Sequence, residues 1–177
     1  MVTTDRPAIR GVPTPGLGRM GGDTAYTVMG VDGMPPFLMS VVSDGDRWMF
    51  ASSTGALTAG RRDATGALFP YETDDRLHAS VGRVGAVTRM QIHAVGPRGI
   101  SWQPFADGTC ASGLRWVSKS VHGDTVTFGE EHAAASLVFT SSWSSSEEHG
   151  FVRTATLENH GREPVTVDLV DGLLGVL

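Results

Sequence analysis

The chain has 177 residues, 40% hydrophobic and 19% charged, with 23 glycines, 9 prolines and a formal net charge of −5. That length fits one domain able to bury a core, and the acidic balance argues against a nucleic-acid binder or a polybasic membrane-surface protein. No apolar run approaches the ~18 residues of a membrane helix. The N-terminus lacks the basic and apolar regions of a secretory signal, and Cys110 is the only cysteine. The sequence therefore predicts a cytoplasmic protein with no intrachain disulfide and no thiolate zinc site.

In chain order, Gly16-Leu17-Gly18-Arg19-Met20-Gly21 has the spacing of a dinucleotide-binding loop, but Pro13 and Pro15 precede it and no helical pattern follows. Residues 1–24 are predicted to be a flexible N-terminal segment, and residues 25–177 a single domain or the front part of one. Residues 26–31 start the sheet. Residues 37–42, nearly all apolar, read as a strand buried on both faces, and residues 47–51 return beside it after the Asp44-Gly45 turn. Along 84–94, Val84, Ala86, Thr88, Met90, Ile92 and Ala94 share one face and Arg89, Gln91 and His93 the other, the period of a half-buried strand.

A hairpin around His122-Gly123-Asp124 is expected to join 114–121 to 125–128, with a further strand at 137–140. Residues 151–158 and 165–169 alternate again, and the turn-rich stretch Asn159-His160-Gly161-Arg162-Glu163-Pro164 predicts that they form one hairpin with a long loop. Helical periodicity never lasts three turns; Glu130 to Ala135 could form a single turn. The fold class that follows is all-β, an antiparallel β-sandwich. The chain stops on Leu173-Leu174-Gly175-Val176-Leu177, which reads as a sandwich truncated at its C-terminus, the front portion of a longer protein.

The segment 52–78 is too long for a hairpin loop, and such loops often carry function. Leu57, Leu68, Phe69 and Tyr71 would hold it down, leaving Arg61, Arg62, Tyr71, Asp74 and Asp75 to face a ligand. Guanidinium and carboxylate groups bond sugar hydroxyls and an aromatic face stacks on a pyranose, so the expected ligand is a carbohydrate. The bland reading is a structural loop packed by its own apolar residues. Asp74-Asp75 is no glycosidase pair, whose carboxyls flank a scissile bond about 5–10 Å apart. Glu130-Glu131-His132 and Glu147-Glu148-His149 read as solvated hairpin ends, not metal sites. Trp48, Trp102, Trp116 and Trp143 read as core or sheet-surface packing, and Cys110 as a buried or semi-buried thiol. No metal, cofactor or catalytic residue is predicted.

Two stretches carry a family resemblance. Trp48-Met49-Phe50-Ala51-Ser52-Ser53-Thr54-Gly55-Ala56-Leu57-Thr58-Ala59-Gly60-Arg61, followed by Ala67-Leu68-Phe69-Pro70-Tyr71-Glu72-Thr73-Asp74-Asp75, is similar to the N-terminal region of large bacterial cellobiose-phosphorylase-like and glycosyl hydrolase proteins. Leu157-Glu158-Asn159-His160-Gly161 through Val167-Asp168-Leu169-Val170-Asp171-Gly172-Leu173 resembles a strand–turn–strand of the same domain. The resemblance spans residues 25–177 and implies a galactose-mutarotase-like sandwich (a supersandwich) preceding a helical linker and an (α/α)6 barrel that cleaves or phosphorolyses glycosidic bonds. The catalytic acid of that family lies in the barrel, and no barrel-like sequence occurs here. The resemblance thus implies a non-catalytic module or fragment of a carbohydrate-active enzyme, partnered by an oligosaccharide substrate and a helical catalytic barrel. A free-standing carbohydrate-binding module is the alternative, and a small independent enzyme the third.

Overall fold

The computed structural model describes residues 13–20, 23–93, 99–106 and 113–177. Cys110, Ala94, Gly21 and the first twelve residues of the segment expected to be flexible lie outside them. Alternating apolar and small polar residues, broken by Gly and Asp turns, build strands: β1 (Thr14–Met20), β2 (Asp23–Met29), β3 (Leu38–Val41), β4 (Arg47–Ser52), β5 (Leu57–Arg61), β6 (Gly85–Ile92), β7 (Ile100–Trp102), β8 (Arg115–Ser120), β9 (Thr125–His132), β10 (Leu137–Ser146), β11 (Gly150–Asn159) and β12 (Val167–Leu174). Among the described residues one short α-helix, α1 (Asp74–His78), and three single turns of 3-10 helix interrupt them, and no described helix is long and apolar enough to cross a membrane.

All strand pairs are antiparallel. The order β1-β2-β8-β9-β10-β11 makes a six-stranded sheet, and β3-β4-β5 and β12-β6-β7 make two three-stranded sheets. Both small sheets bury side chains against the same face of the large one. Met39, Val41, Met49, Ala51, Leu57 and Ala59 meet Val117, Val126, Phe128 and Trp143; Met90, Ile92 and Trp102 meet Leu137 and Phe139. The all-β, antiparallel, sandwich-like architecture expected from the alternation is therefore present. Each fully buried Phe, Leu or Met contributes about 1.5–3 kcal/mol relative to exposure, so these two clusters fix which face of every strand points inward.

Four local readings are corrected. Residues 151–158 and 165–169 do not form a hairpin: β11 pairs with β10 and β12 with β6, so the chain crosses from one layer to the other. The turn chemistry is present, with Asn159 Oδ1 accepting the Gly161 N–H and Asn159 Nδ2 donating to Glu163 O. His160 N–H donates to Ser136 O and His93 N–H to Thr166 O, which directs the exit towards β6. Residues 14–20, expected within a flexible segment, are the edge strand β1, in register with β2 from Thr14↔Met29 to Met20↔Asp23. β3 is buried on one face only, with Met39 and Val41 inward and Leu38 and Ser40 exposed. β10 runs well past 140 because its Ser residues pair across strands, as where Thr127 Oγ1 and Ser142 Oγ lie 2.6 Å apart.

Candidate functional site

The antiparallel register of β4 and β5 places Trp48 opposite Gly60. A Cβ at position 60 would lie 2.5 Å from Trp48 Cζ2 and 2.7 Å from the Ala67 Cα, so the indole can lie against β5 only because residue 60 is glycine. The indole N–H donates to Asp63 O at 3.3 Å. Phe50, on the same side of β4, sits 6.1 Å away by ring centroids, and Tyr71 meets the indole edge-on at 5.6 Å. Tyr71 is 57% exposed. Its position is set from below: Thr58 Oγ1 donates to Pro70 O at 2.8 Å, and the neighbouring Phe69 is fully buried, edge-on against Trp143.

A charged cluster lies at the end of the β4–β5 pair, where Arg47 stands opposite Arg61. Arg61 Nε and Nη2 each donate to an Asp46 carboxylate oxygen at 3.2 Å, and Arg62 Nε lies 3.4 Å from the same carboxylate. The Arg61 hydrogen bond, seconded by Arg62, holds the Asp46 carboxyl below its ordinary range. Arg62 has a left-handed backbone (φ 63), a conformation disfavoured for a long side chain; its N–H donates to Asp46 O, which secures it. Of the predicted site residues Tyr71 meets the Trp48 indole, whereas Arg61 lies opposite Arg47 in the register and so leaves the other face of the β4–β5 pair from Trp48; Leu57 and Phe69 are buried. Leu68 is partly exposed rather than an anchor.

Asp74 and Asp75 belong elsewhere. They occupy the first turn of α1, where carboxylates suit the backbone N–H groups, and Asp74 Oδ1 lies 3.1 Å from His78 Nε2. His78 Nδ1 in turn lies 2.7 Å from Ser52 Oγ. These are the residue types of a hydrolase triad, but Ser52 has no exposed surface. Its hydroxyl also accepts the Thr54 N–H and contacts Thr54 Oγ1 at 2.7 Å. The imidazole is used in reverse as well, serine at Nδ1 and carboxylate at Nε2. The arrangement fastens α1 to the β4–β5 turn.

A cleft of about 180 Å³ borders that turn, with Asp32, Pro36, Ser53, Thr54 and Phe105 among its walls. Behind it, Glu130 is almost fully buried and its carboxylate accepts from Trp102 Nε1 (3.0 Å), Phe105 N–H (2.8 Å) and Arg115 Nε (2.7 Å). The expectation of a solvated hairpin end at Glu130-Glu131-His132 is therefore wrong for two of the three, since His132 is also buried and its Nδ1 accepts the Ala135 N–H. Glu147, Glu148 and His149 are exposed at the β10–β11 turn, as expected. Among the described residues no group of three or more His, Cys, Asp or Glu could hold a metal ion.

No protein-family model matches the chain, and no curated protein matches it significantly. Its chemistry must be read from the geometry alone. The Trp48–Tyr71 surface offers aromatic carbon to an apolar ring face. Trp48 was not identified from sequence, because its role depends on the cross-strand glycine.

Proposed function

We propose that the chain is a non-catalytic β-sandwich module, galactose-mutarotase-like, of a carbohydrate-active enzyme of the glycoside phosphorylase or hydrolase type. It would work in the cytoplasm and lend the segment around Arg61, Arg62 and Tyr71 to the entrance for an oligosaccharide. The observation that carries the reading is the edge-on Trp48–Tyr71 pair, in which Tyr71 is exposed. A pyranose has an apolar C–H face, and this surface offers aromatic carbon to it. The lone cysteine suits a reducing compartment. Leu169 and Leu173 share one face of the edge strand β12 and are both exposed, an apolar surface suited to packing on a further domain such as a helical barrel. That strand favours a packed module over a free-standing carbohydrate-binding module, which the same aromatic face would otherwise serve.

Calorimetric titration with cellobiose through cellohexaose tests the proposal. Neutral oligosaccharides should bind, and Tyr71→Ala should weaken them about ten-fold, equivalent to about 1.4 kcal/mol, with an unchanged melting temperature. Absence of binding by every oligosaccharide, or undiminished binding by the variant, would overturn it.

A further inference from the structure

The cleft of about 180 Å³ beside the β4–β5 turn shares no wall residue with the Trp48–Tyr71 surface. Val31, Met34, Pro36, Val81 and Phe105 make most of its wall apolar, and two charged residues, Asp32 and Arg115, also line it. The two charges differ in kind. Arg115 Nε donates to the buried Glu130 carboxylate at 2.7 Å, so its charge is already neutralised within the fold. Asp32 is exposed and makes no ion pair among the described residues. The cleft therefore presents one uncompensated negative charge beside apolar walls, among which Met34 is itself exposed.

These walls are fixed by hydrogen bonds of the chain itself. Gly30 has a left-handed backbone (φ 68), and its N–H donates to Arg115 O at 2.7 Å, which fastens the turn carrying Asp32 to β8. Met34 N–H donates to Val31 O and closes that turn. Phe37 N–H donates to Ser53 Oγ and Ser53 N–H to Phe37 O, which sets the Pro36 side of the cleft. Phe105 also has a left-handed backbone (φ 56), held by the Glu130 carboxylate that accepts its N–H. Strain of that kind in a bulky residue is characteristic of sites that hold ligands, and walls fixed in advance lower the cost of binding.

We propose that this cleft binds a small organic cation, an ammonium group on a short apolar body. The ammonium donates to the Asp32 carboxylate, and the body covers Met34, Val81 and Phe105. The space is more than ten times the roughly 10–15 Å³ that one water needs. Asp32 repels an anion of the same shape and gives a neutral isostere no ion pair, so charge decides the ligand class. The inference is independent of the carbohydrate reading, which concerns other residues.

Titration with butylammonium, followed by the ¹H–¹³C resonance of the Met34 methyl, tests the proposal. The resonance should shift saturably with butylammonium, bind butanol about three- to five-fold more weakly, and hardly respond to butyrate. Asp32→Asn should weaken butylammonium by the same three- to five-fold, the size of one exposed ion pair, and leave butanol unchanged. A shift that never saturates, equal affinity for butanol or butyrate, or undiminished butylammonium affinity in the variant would overturn the proposal. Should the variant melt at a lower temperature, the comparison of the three probes on the unaltered chain decides alone.

Discussion

Arg115–Glu130 and the Arg61–Asp46–Arg62 cluster use the same chemistry in opposite surroundings. The side chains of Arg115 and Glu130 are 11% and 3% exposed; those of Arg61, Arg62 and Asp46 are 67%, 82% and 35% exposed. In the first region the carboxylate also accepts from Trp102 and Phe105, so strands β7, β8 and β9 and the wall of the cleft depend on one buried charge. In the second, water competes for every group, and such pairs add little to stability. The lesson is that a buried ion pair organises the fold, whereas an exposed one leaves its donors and acceptors free to exchange partners with a ligand.

Breaking the buried pair should have the largest effect. Glu130→Ala leaves Arg115 charged inside the sandwich and should lower unfolding stability by about 3–5 kcal/mol in urea denaturation; a loss no larger than that of an exposed substitution would erase the distinction between the regions. Gly60→Ala should come next. The added methyl meets the Trp48 ring and the Ala67 backbone, so about 1–3 kcal/mol of overpacking is expected, together with loss of oligosaccharide binding as the indole is displaced.

The smallest expected effect involves Asp171, whose carboxyl is held below its ordinary range by the Arg153 hydrogen bonds first, then by Thr88, against an opposing effect of burial. A depressed folded value means that the stabilisation is present above the unfolded value, about 3.9, and is lost as pH falls through the folded one. Melting curves of Asp171→Asn should therefore fall less steeply below about pH 4 than those of the unaltered chain.

The sequence made the architecture legible because period-two alternation is a local property, visible at 84–94 and 151–158 alike. It did not reveal partners. β11 and β12 look like a hairpin because turn residues separate them, yet which strand each joins is decided by the clusters around Phe139 and Met90, which no local pattern encodes. The same limit governs the candidate site. Arg61, Arg62 and Tyr71 could be named from their segment, but Trp48 becomes a surface only through its register with Gly60. Asp74 could have been set aside from sequence, since His78 stands at the helical i+4 position. Glu130 was misread because its burial depends on Arg115, opposite it across the β8–β9 pair.

The most direct measurement of the central claim uses the indole N–H resonances of the tryptophans during titration with cellotetraose. Trp48 donates to a backbone carbonyl at the exposed aromatic surface, and Trp102 donates to the buried Glu130 carboxylate. The account predicts a saturable shift of the Trp48 resonance and a stationary Trp102 resonance. A stationary Trp48, or a shift confined to Trp102, would contradict it.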